Sequence, residues 1–67
     1  MRRGIFAKFY NPIRVEMSVA DLWRGEAWLY DNVIFNNWDY WIDGNGAYHG
    51  FEFKNQEDAI AFKLRFG

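Results

Sequence analysis

The chain has 67 residues, with no cysteine, one histidine and a net charge of −1. This length fits a single domain, residues 1–67, and the absence of cysteine excludes disulfides and thiolate metal sites. The near-neutral charge argues against a protein that depends on many phosphate contacts. Aromatic residues make up 22% of the chain, so several large rings are expected to remain partly in water.

The opening residues, Met1 to Lys8, are basic but are not followed by the apolar run of a signal peptide. No stretch of the sequence approaches the roughly 20 apolar residues of a membrane-spanning helix. The expected location is therefore the cytoplasm, without a membrane segment.

Two short strands are predicted near the start of the chain. The segment Ile5 to Tyr10 is apolar and aromatic, and Asn11-Pro12 after it is a turn signal. Ile13, Val15 and Met17 then alternate with polar residues, which is the period of a half-buried strand.

A helix is predicted from Val19 to about Tyr30. Ser18 and Asp21 have the spacing of a capping box, in which the serine is the N-cap and the acid follows three positions later. Gly25 lies inside this helix and costs about 1 kcal/mol there, so an early end at Gly25 is a second possibility. Residues 31–37 are loop-like because they are rich in Asn and Asp.

The second half of the chain predicts a β-hairpin and a helix. Trp38 to Asp43 and Ala47 to Lys54 are rich in aromatic residues and flank the turn Gly44-Asn45-Gly46. Asn55 is the expected N-cap of the last helix, although Lys63 to Phe66 also alternate and could form a terminal strand. The predicted order is ββαββα, an α+β domain in which a small antiparallel sheet packs against one or two helices.

Neither catalysis nor metal binding is predicted. In an EF-hand register Asp43 and Glu52 would be ligands, but the first ligand position would fall on Trp41, so a glycine-rich turn is the better interpretation. His49 has no second nitrogen or sulfur ligand for zinc. Ser18 is the only serine and there is no threonine, so no hydroxyl nucleophile stands near a base. We therefore expect a protein that is not an enzyme and has no catalytic residue, metal or cofactor.

The hairpin is predicted to carry a protein-binding surface. Strand alternation places Trp38 and Tyr40 on the inner face and Trp41, between two carboxylates, on the outer face. Phe51 and Phe53 are assigned to the core, so their even-numbered neighbours are predicted to join Trp41 outside. The predicted interface consists of Asp39, Trp41, Asp43, Tyr48 and Glu52.

A small single-stranded RNA- or DNA-binding module is the alternative. His49 to Phe53 partly match the RNP1 strand of RNA-recognition motifs, and bases stack on exposed rings. RNP1 has small or apolar residues where Glu52 and Lys54 stand, so Phe51 and Phe53 are more simply core residues. Self-association through the aromatic residues is a third possibility.

The C-terminal segment, residues 51–67, resembles the close of many short orphan accessory proteins of tailed bacteriophages. In those proteins a strand is followed by an acid-alanine pair, here Asp58-Ala59, and by a Phe-Lys-Leu-x-Phe-Gly ending, here Phe62 to Gly67. The resemblance covers about a quarter of the chain and carries over no fold and no functional residue. It implies a phage-encoded accessory protein that binds and modulates a host protein in the host cell cytoplasm.

Overall fold

The computed structural model describes residues 9–66, which form three strands, two helices and two 3-10 turns. Positions 5–8 of the strand predicted at residues 5–10 lie outside the described residues. Its last two residues, Phe9 and Tyr10, are described and are not in a strand. In chain order the elements are β1 (Ile13–Glu16), a first 3-10 turn (Val19–Asp21), α1 (Leu22–Asn32), a second 3-10 turn (Phe35–Asn37), β2 (Trp38–Ile42), β3 (Tyr48–Phe53) and α2 (Gln56–Phe66).

The three described strands form one antiparallel sheet in the order β1-β3-β2, with β3 in the centre. Val15, Phe51 and Tyr40 lie side by side across it. Two helices accompany the sheet, so the predicted α+β class is confirmed. The predicted hairpin is also confirmed, as β2 and β3, and β1 covers the alternating segment that begins at Ile13.

The core lies between the inner face of the sheet and the two helices. Phe62 of α2 is its centre, with its ring 5.5 Å from that of Phe51 and 5.4 Å from that of Phe53, and Trp28 of α1 meets it edge-on at 5.8 Å. Large rings fill most of this small volume, and such pairs add about 0.5–1.5 kcal/mol each beyond their buried area. The buried cluster comprises Val15, Leu29, Val33, Trp38, Phe51, Phe53, Ala59 and Phe62.

The start of α1 differs from the predicted capping box. Ser18 precedes a 3-10 turn, and its hydroxyl donates to the carboxylate of Asp21 at 3.0 Å instead of accepting a backbone N–H. The α-helix therefore begins at Leu22, not at Val19, and continues to Asn32. In a 3-10 turn each hydrogen bond joins residues three apart, whereas in an α-helix they are four apart. Here the N–H of Asp21 donates to the carbonyl of Ser18.

Gly25 does not end α1 because the glycine is where the helix touches the sheet and α2. A Cβ at this position would lie 2.8 Å from Cε2 of Phe51 and 3.0 Å from Cζ of Phe62. Both rings are fully buried, so neither has room to move away. The cost of glycine within a helix is thus offset by close packing.

The last helix includes the ambiguous segment 63–66, so no terminal strand forms there. Ala59 and Phe62 are buried on one side of α2, and Phe66 packs beside them, 4.8 Å from Phe62. Acids lie in the first turn and Lys63 and Arg65 in the last, an arrangement that complements the helix dipole.

The substitution Gly25→Ala tests this packing. A mid-helix Gly→Ala change usually stabilises, but here we expect a loss of about 1–3 kcal/mol in the free energy of unfolding because the core would be overpacked. The matched control is Gly44→Ala, since a Cβ at Gly44 meets nothing within 4 Å. Chemical denaturation of both variants gives the measurement, and an unchanged or more stable Gly25→Ala protein would contradict the packing argument.

Candidate functional site

The candidate site lies on the face of the sheet opposite the two helices. Alternation from the buried residues Val15, Trp38 and Phe51 identifies the side chains on that face. We call it the outer sheet face, and its members are Arg14, Glu16, Asp39, Trp41, His49 and Glu52, with Asp43 just beyond the end of β2.

Trp41 is at the centre of the outer sheet face. The guanidinium carbon of Arg14 lies 5.1 Å from the centroid of the indole, and the ring of His49 lies 5.2 Å from it with a tilt of 38°. The indole is partly exposed and in contact with a cation and an imidazole. Its orientation is therefore fixed before any partner binds.

Glu52 shares this face but is buried, with only 4% of the residue exposed. Its Oε1 accepts a hydrogen bond from Nε of Arg14 at 3.3 Å, and the two residues are direct neighbours in the β1–β3 register. Glu52 was predicted to contact a partner directly, but its burial gives it a supporting role within the site. Its carboxylate holds the guanidinium of Arg14 near Trp41.

Asp43 closes the hairpin turn. One carboxylate oxygen accepts the backbone N–H groups of Asn45 at 2.8 Å and Ala47 at 3.0 Å, and the other lies 2.8 Å from Nε2 of His49. The hydrogen bond from His49, together with the two backbone donors, lowers the pKa of Asp43 to about 2. Both carboxylate oxygens of Asp43 therefore have hydrogen-bond partners. Residues 9–66 contain no cluster of three side chains that could hold a metal ion.

Asp39 modifies the edge of the sheet. The N–H of Lys54 donates to the carbonyl of Asn37, so these two residues form a hydrogen-bonded pair of the β2–β3 ladder. Hydrogen-bonded pairs alternate with non-hydrogen-bonded pairs in an antiparallel ladder. Asp39 therefore exchanges backbone hydrogen bonds with β3, and the N–H of Tyr40 points away from β3. That N–H donates instead to Oδ1 of Asp39 at 2.8 Å. An added strand would have to displace this carboxylate, so β2 is a protected edge.

A β-bulge determines which residues of β3 reach the outer sheet face. Trp41 pairs with Gly50 and Ile42 pairs with Tyr48, so His49 is an extra residue on β3. A Cβ at Gly50 would collide with the backbone carbonyl of Val15 in β1, so no larger residue fits there. The bulge shifts the alternation by one residue between Tyr48 and Phe51.

The alternation argument is therefore wrong for Tyr48. Its ring lies 5.5 Å from that of Tyr40 on the inner side of the sheet, and His49 takes the place beside Trp41. A glycine inside a strand pattern is a signal for a bulge, so Gly50 offered a warning of this shift. Of the five predicted residues, the structure brings Asp39, Trp41, Asp43 and Glu52 together. The interface predicted from the sequence did not include Arg14, Glu16 or His49.

Tyr40, on the inner face, connects the hairpin to α1. Its hydroxyl donates to the carboxylate of Glu26. Burial, followed by hydrogen bonding to Glu26 and Tyr30, raises the pKa of Tyr40 well above its usual range. Tyr40 consequently remains a neutral hydrogen-bond donor and acts as a structural link, away from the outer sheet face.

Comparison with known proteins finds no matching protein-family model, curated protein or solved structure. Within the described residues no helix is both long and apolar enough to cross a membrane.

Two tryptophans on opposite faces of β2 provide a test of this geometry. Trp38 is fully buried, so Trp38→Ala should lower the free energy of unfolding by about 3–5 kcal/mol. Trp41→Ala should cost roughly 1–2 kcal/mol, because it removes a partly exposed ring with one cation–π contact. The measurement is denaturant unfolding of both variants in parallel. Equal losses would mean that both faces of the hairpin are buried, and would remove the basis for a surface at Trp41.

The pKa of Asp43 predicts an acid dependence of stability. Its folded value, about 2, is below the ordinary 3.8, so the ionised carboxylate stabilises the fold above pH 3.8. That contribution should be lost as the pH falls from 3.8 towards 2. In His49→Ala the main cause of the shift is gone, so the pKa of Asp43, followed by carboxyl NMR, should rise.

The control for this titration is Glu57→Gln, on the exposed first turn of α2, which should leave the pKa of Asp43 unchanged. A wild-type Asp43 that titrates at or above 3.8 would contradict the hydrogen bonds assigned to it.

Proposed function

We propose that this chain is a non-enzymatic binding protein that holds a basic segment of a partner protein on its outer sheet face. We further propose that it is a phage accessory protein acting on a host protein in the host cytoplasm. The second part is supported by the resemblance of residues 51–67 alone. The first part is supported by the arrangement of charges around Trp41.

The charge balance of the outer sheet face favours a cationic partner. Among residues 9–66, the four carboxylates of Glu16, Asp39, Asp43 and Glu52 share the face with the guanidinium of Arg14, and Lys54 follows directly beyond the end of β3. Complementary charge of this kind increases the association rate and selects against partners of the same sign. Lysine and arginine side chains of a partner satisfy it, whereas phosphates would be repelled.

Trp41 supplies the apolar contact that a charged surface alone lacks. Tryptophan is enriched among the residues that dominate binding energy in protein interfaces. Because Arg14 and His49 already fix the indole, little side-chain entropy is lost when a partner covers its exposed part. Within residues 9–66, the ring contacts of α2 with the sheet lie on the inner face, at Phe51 and Phe53, and not at Trp41.

A catalytic function finds less support at this site. The Nε2 of His49 is engaged with Asp43, and the outer sheet face contains no Ser, Thr or Cys that the imidazole could activate. Single-stranded nucleic acid is also less favoured, because the excess of carboxylates opposes the backbone of a nucleic acid.

The proposal is tested by titrating the 15N-labelled protein with a nine-residue arginine-rich peptide, a glutamate-rich peptide and an oligothymidine. We expect only the cationic peptide to shift resonances of Arg14, Glu16 and Trp41. Its affinity should fall at least about fivefold between 50 and 300 mM salt, since exposed charges are screened. The double variant Glu16→Gln/Asp39→Asn should weaken binding by a similar factor, because it removes two charges but keeps the acceptor for the Tyr40 N–H.

The matched control is Glu57→Gln on α2, which removes one charge outside the outer sheet face and should leave the affinity unchanged. Submicromolar, salt-sensitive binding of the oligothymidine would instead establish the nucleic-acid alternative. Peptide shifts confined to the helices would show that the outer sheet face is not the site. Affinity capture from the natural host with wild type and Trp41→Ala then identifies the partner itself.

A further inference from the structure

One exposed side of α1 is apolar, and Tyr30 at its margin packs edge-on against Trp38 of β2 at 5.3 Å. Gly25 and Leu29 face the core, whereas Trp23, Ala27 and Tyr30 recur at intervals of four and three on an exposed side of the helix. We call these three residues, together with Ile34 just after the end of α1, the α1 stripe. Trp23 is 69% exposed, Tyr30 59% and Ile34 71%. An amphipathic helix would normally be polar on this side.

The α1 stripe is large enough to be an interface. Phe35 extends it, with its ring parallel to that of Tyr30 at 6.5 Å and more than half exposed. With roughly 150–250 Å² for each aromatic side chain, the exposed parts of these residues amount to roughly 500–600 Å². A standard interface buries about 800 Å² on each partner and weak ones less than about 600 Å², so the α1 stripe has the area of a weak interface.

We propose that two copies of this chain associate through the α1 stripe, with their α1 helices antiparallel across a two-fold axis near Ala27. This surface is separate from the outer sheet face, so the proposal does not depend on the proposed function. A two-fold interface must be self-complementary, because a residue that contacts a second residue of the other copy is matched by the reverse contact. The α1 stripe meets this requirement in both charge and shape.

The charges that flank the α1 stripe complement themselves. Arg24 and Asp31 are exposed on the same side of the stripe, seven residues or about two turns apart. In an antiparallel two-fold dimer, this side of one α1 helix lies next to the same side of the other. Arg24 therefore lies opposite the partner's Asp31, and the pair occurs twice. A parallel arrangement would separate them. Among residues 9–66, Arg24 is otherwise engaged by the exposed carboxylate of Asp21 at 3.5 Å.

The shape of the α1 stripe suits the same arrangement. Ala27, at its midpoint, is the smallest side chain of the stripe and lets the two helix backbones approach closely. In an antiparallel pair centred there, Trp23, four residues before Ala27, meets the partner's Tyr30, three residues after it. Two such aromatic contacts would cover the rings that are now in water.

The experiment is sedimentation of the full chain from 1 to 200 μM, with a dimer expected across the upper part of this range. Arg24→Glu and Asp31→Arg should each weaken association at least tenfold, since each places like charges together. The double variant Arg24→Glu/Asp31→Arg restores opposite charges and should recover the wild-type constant within about threefold. Trp23→Ala should also weaken association at least tenfold, while circular dichroism shows an unchanged fold.

The matched control is Leu64→Ala, a residue that is 83% exposed on α2 and should leave association unchanged. A monomer at 200 μM would overturn the proposal. So would a dimer that Leu64→Ala weakens as much as Trp23→Ala does, or a charge-swapped double variant that fails to recover. The first outcome would show that the α1 stripe does not pair with itself, and the others that the interface is elsewhere.

Discussion

The contact between α1 and the aromatic core at Gly25 is the constraint on which the rest of the structure depends. A domain of this size, without a disulfide, depends strongly on the packing of its core. At Gly25 the helix backbone rests against the rings of Phe51 and Phe62, and this contact joins the sheet and both helices. A side chain there would move α1 outward and open the cluster around Phe62, so one missing Cβ determines how the layers meet.

The bulge at His49 and Gly50 connects this core to the candidate site. On the core side of the bulge, Phe51 and Phe53 point inward, as simple alternation requires. Beyond it the alternation is reversed, so His49 reaches Trp41 and the carboxylate of Asp43. Without the extra residue the imidazole would face the helices and the outer sheet face would lose one contact to its central indole. The backbone irregularity therefore builds the site.

The sequence was sufficient wherever a local pattern determines the structure. Alternation predicted that Trp38 is buried and that Trp41 lies on the opposite face, and turn chemistry predicted the hairpin. It was insufficient where a tertiary contact overrides the pattern, as for Tyr48, which the bulge moves to the inner face, and Glu52, which is buried beside Arg14. The missed residue Arg14 joins the site only through the pairing of β1 with β3, which no local pattern specifies.

The aromatic surplus divides into rings that folding explains and rings that it does not. Phe51 and Phe62 lie in the buried core cluster, which includes neither Trp23 nor Tyr30. Trp41 belongs to a network of polar partners, whereas Tyr30 of the α1 stripe contacts Phe35 and Trp38 and still has more than half of its surface exposed. Because the stripe and the outer sheet face lie on opposite sides of the domain, covering one leaves the other accessible. Pairing through α1 would therefore present two outer sheet faces in one assembly, and a partner with two basic segments would bind it more tightly than a monomer.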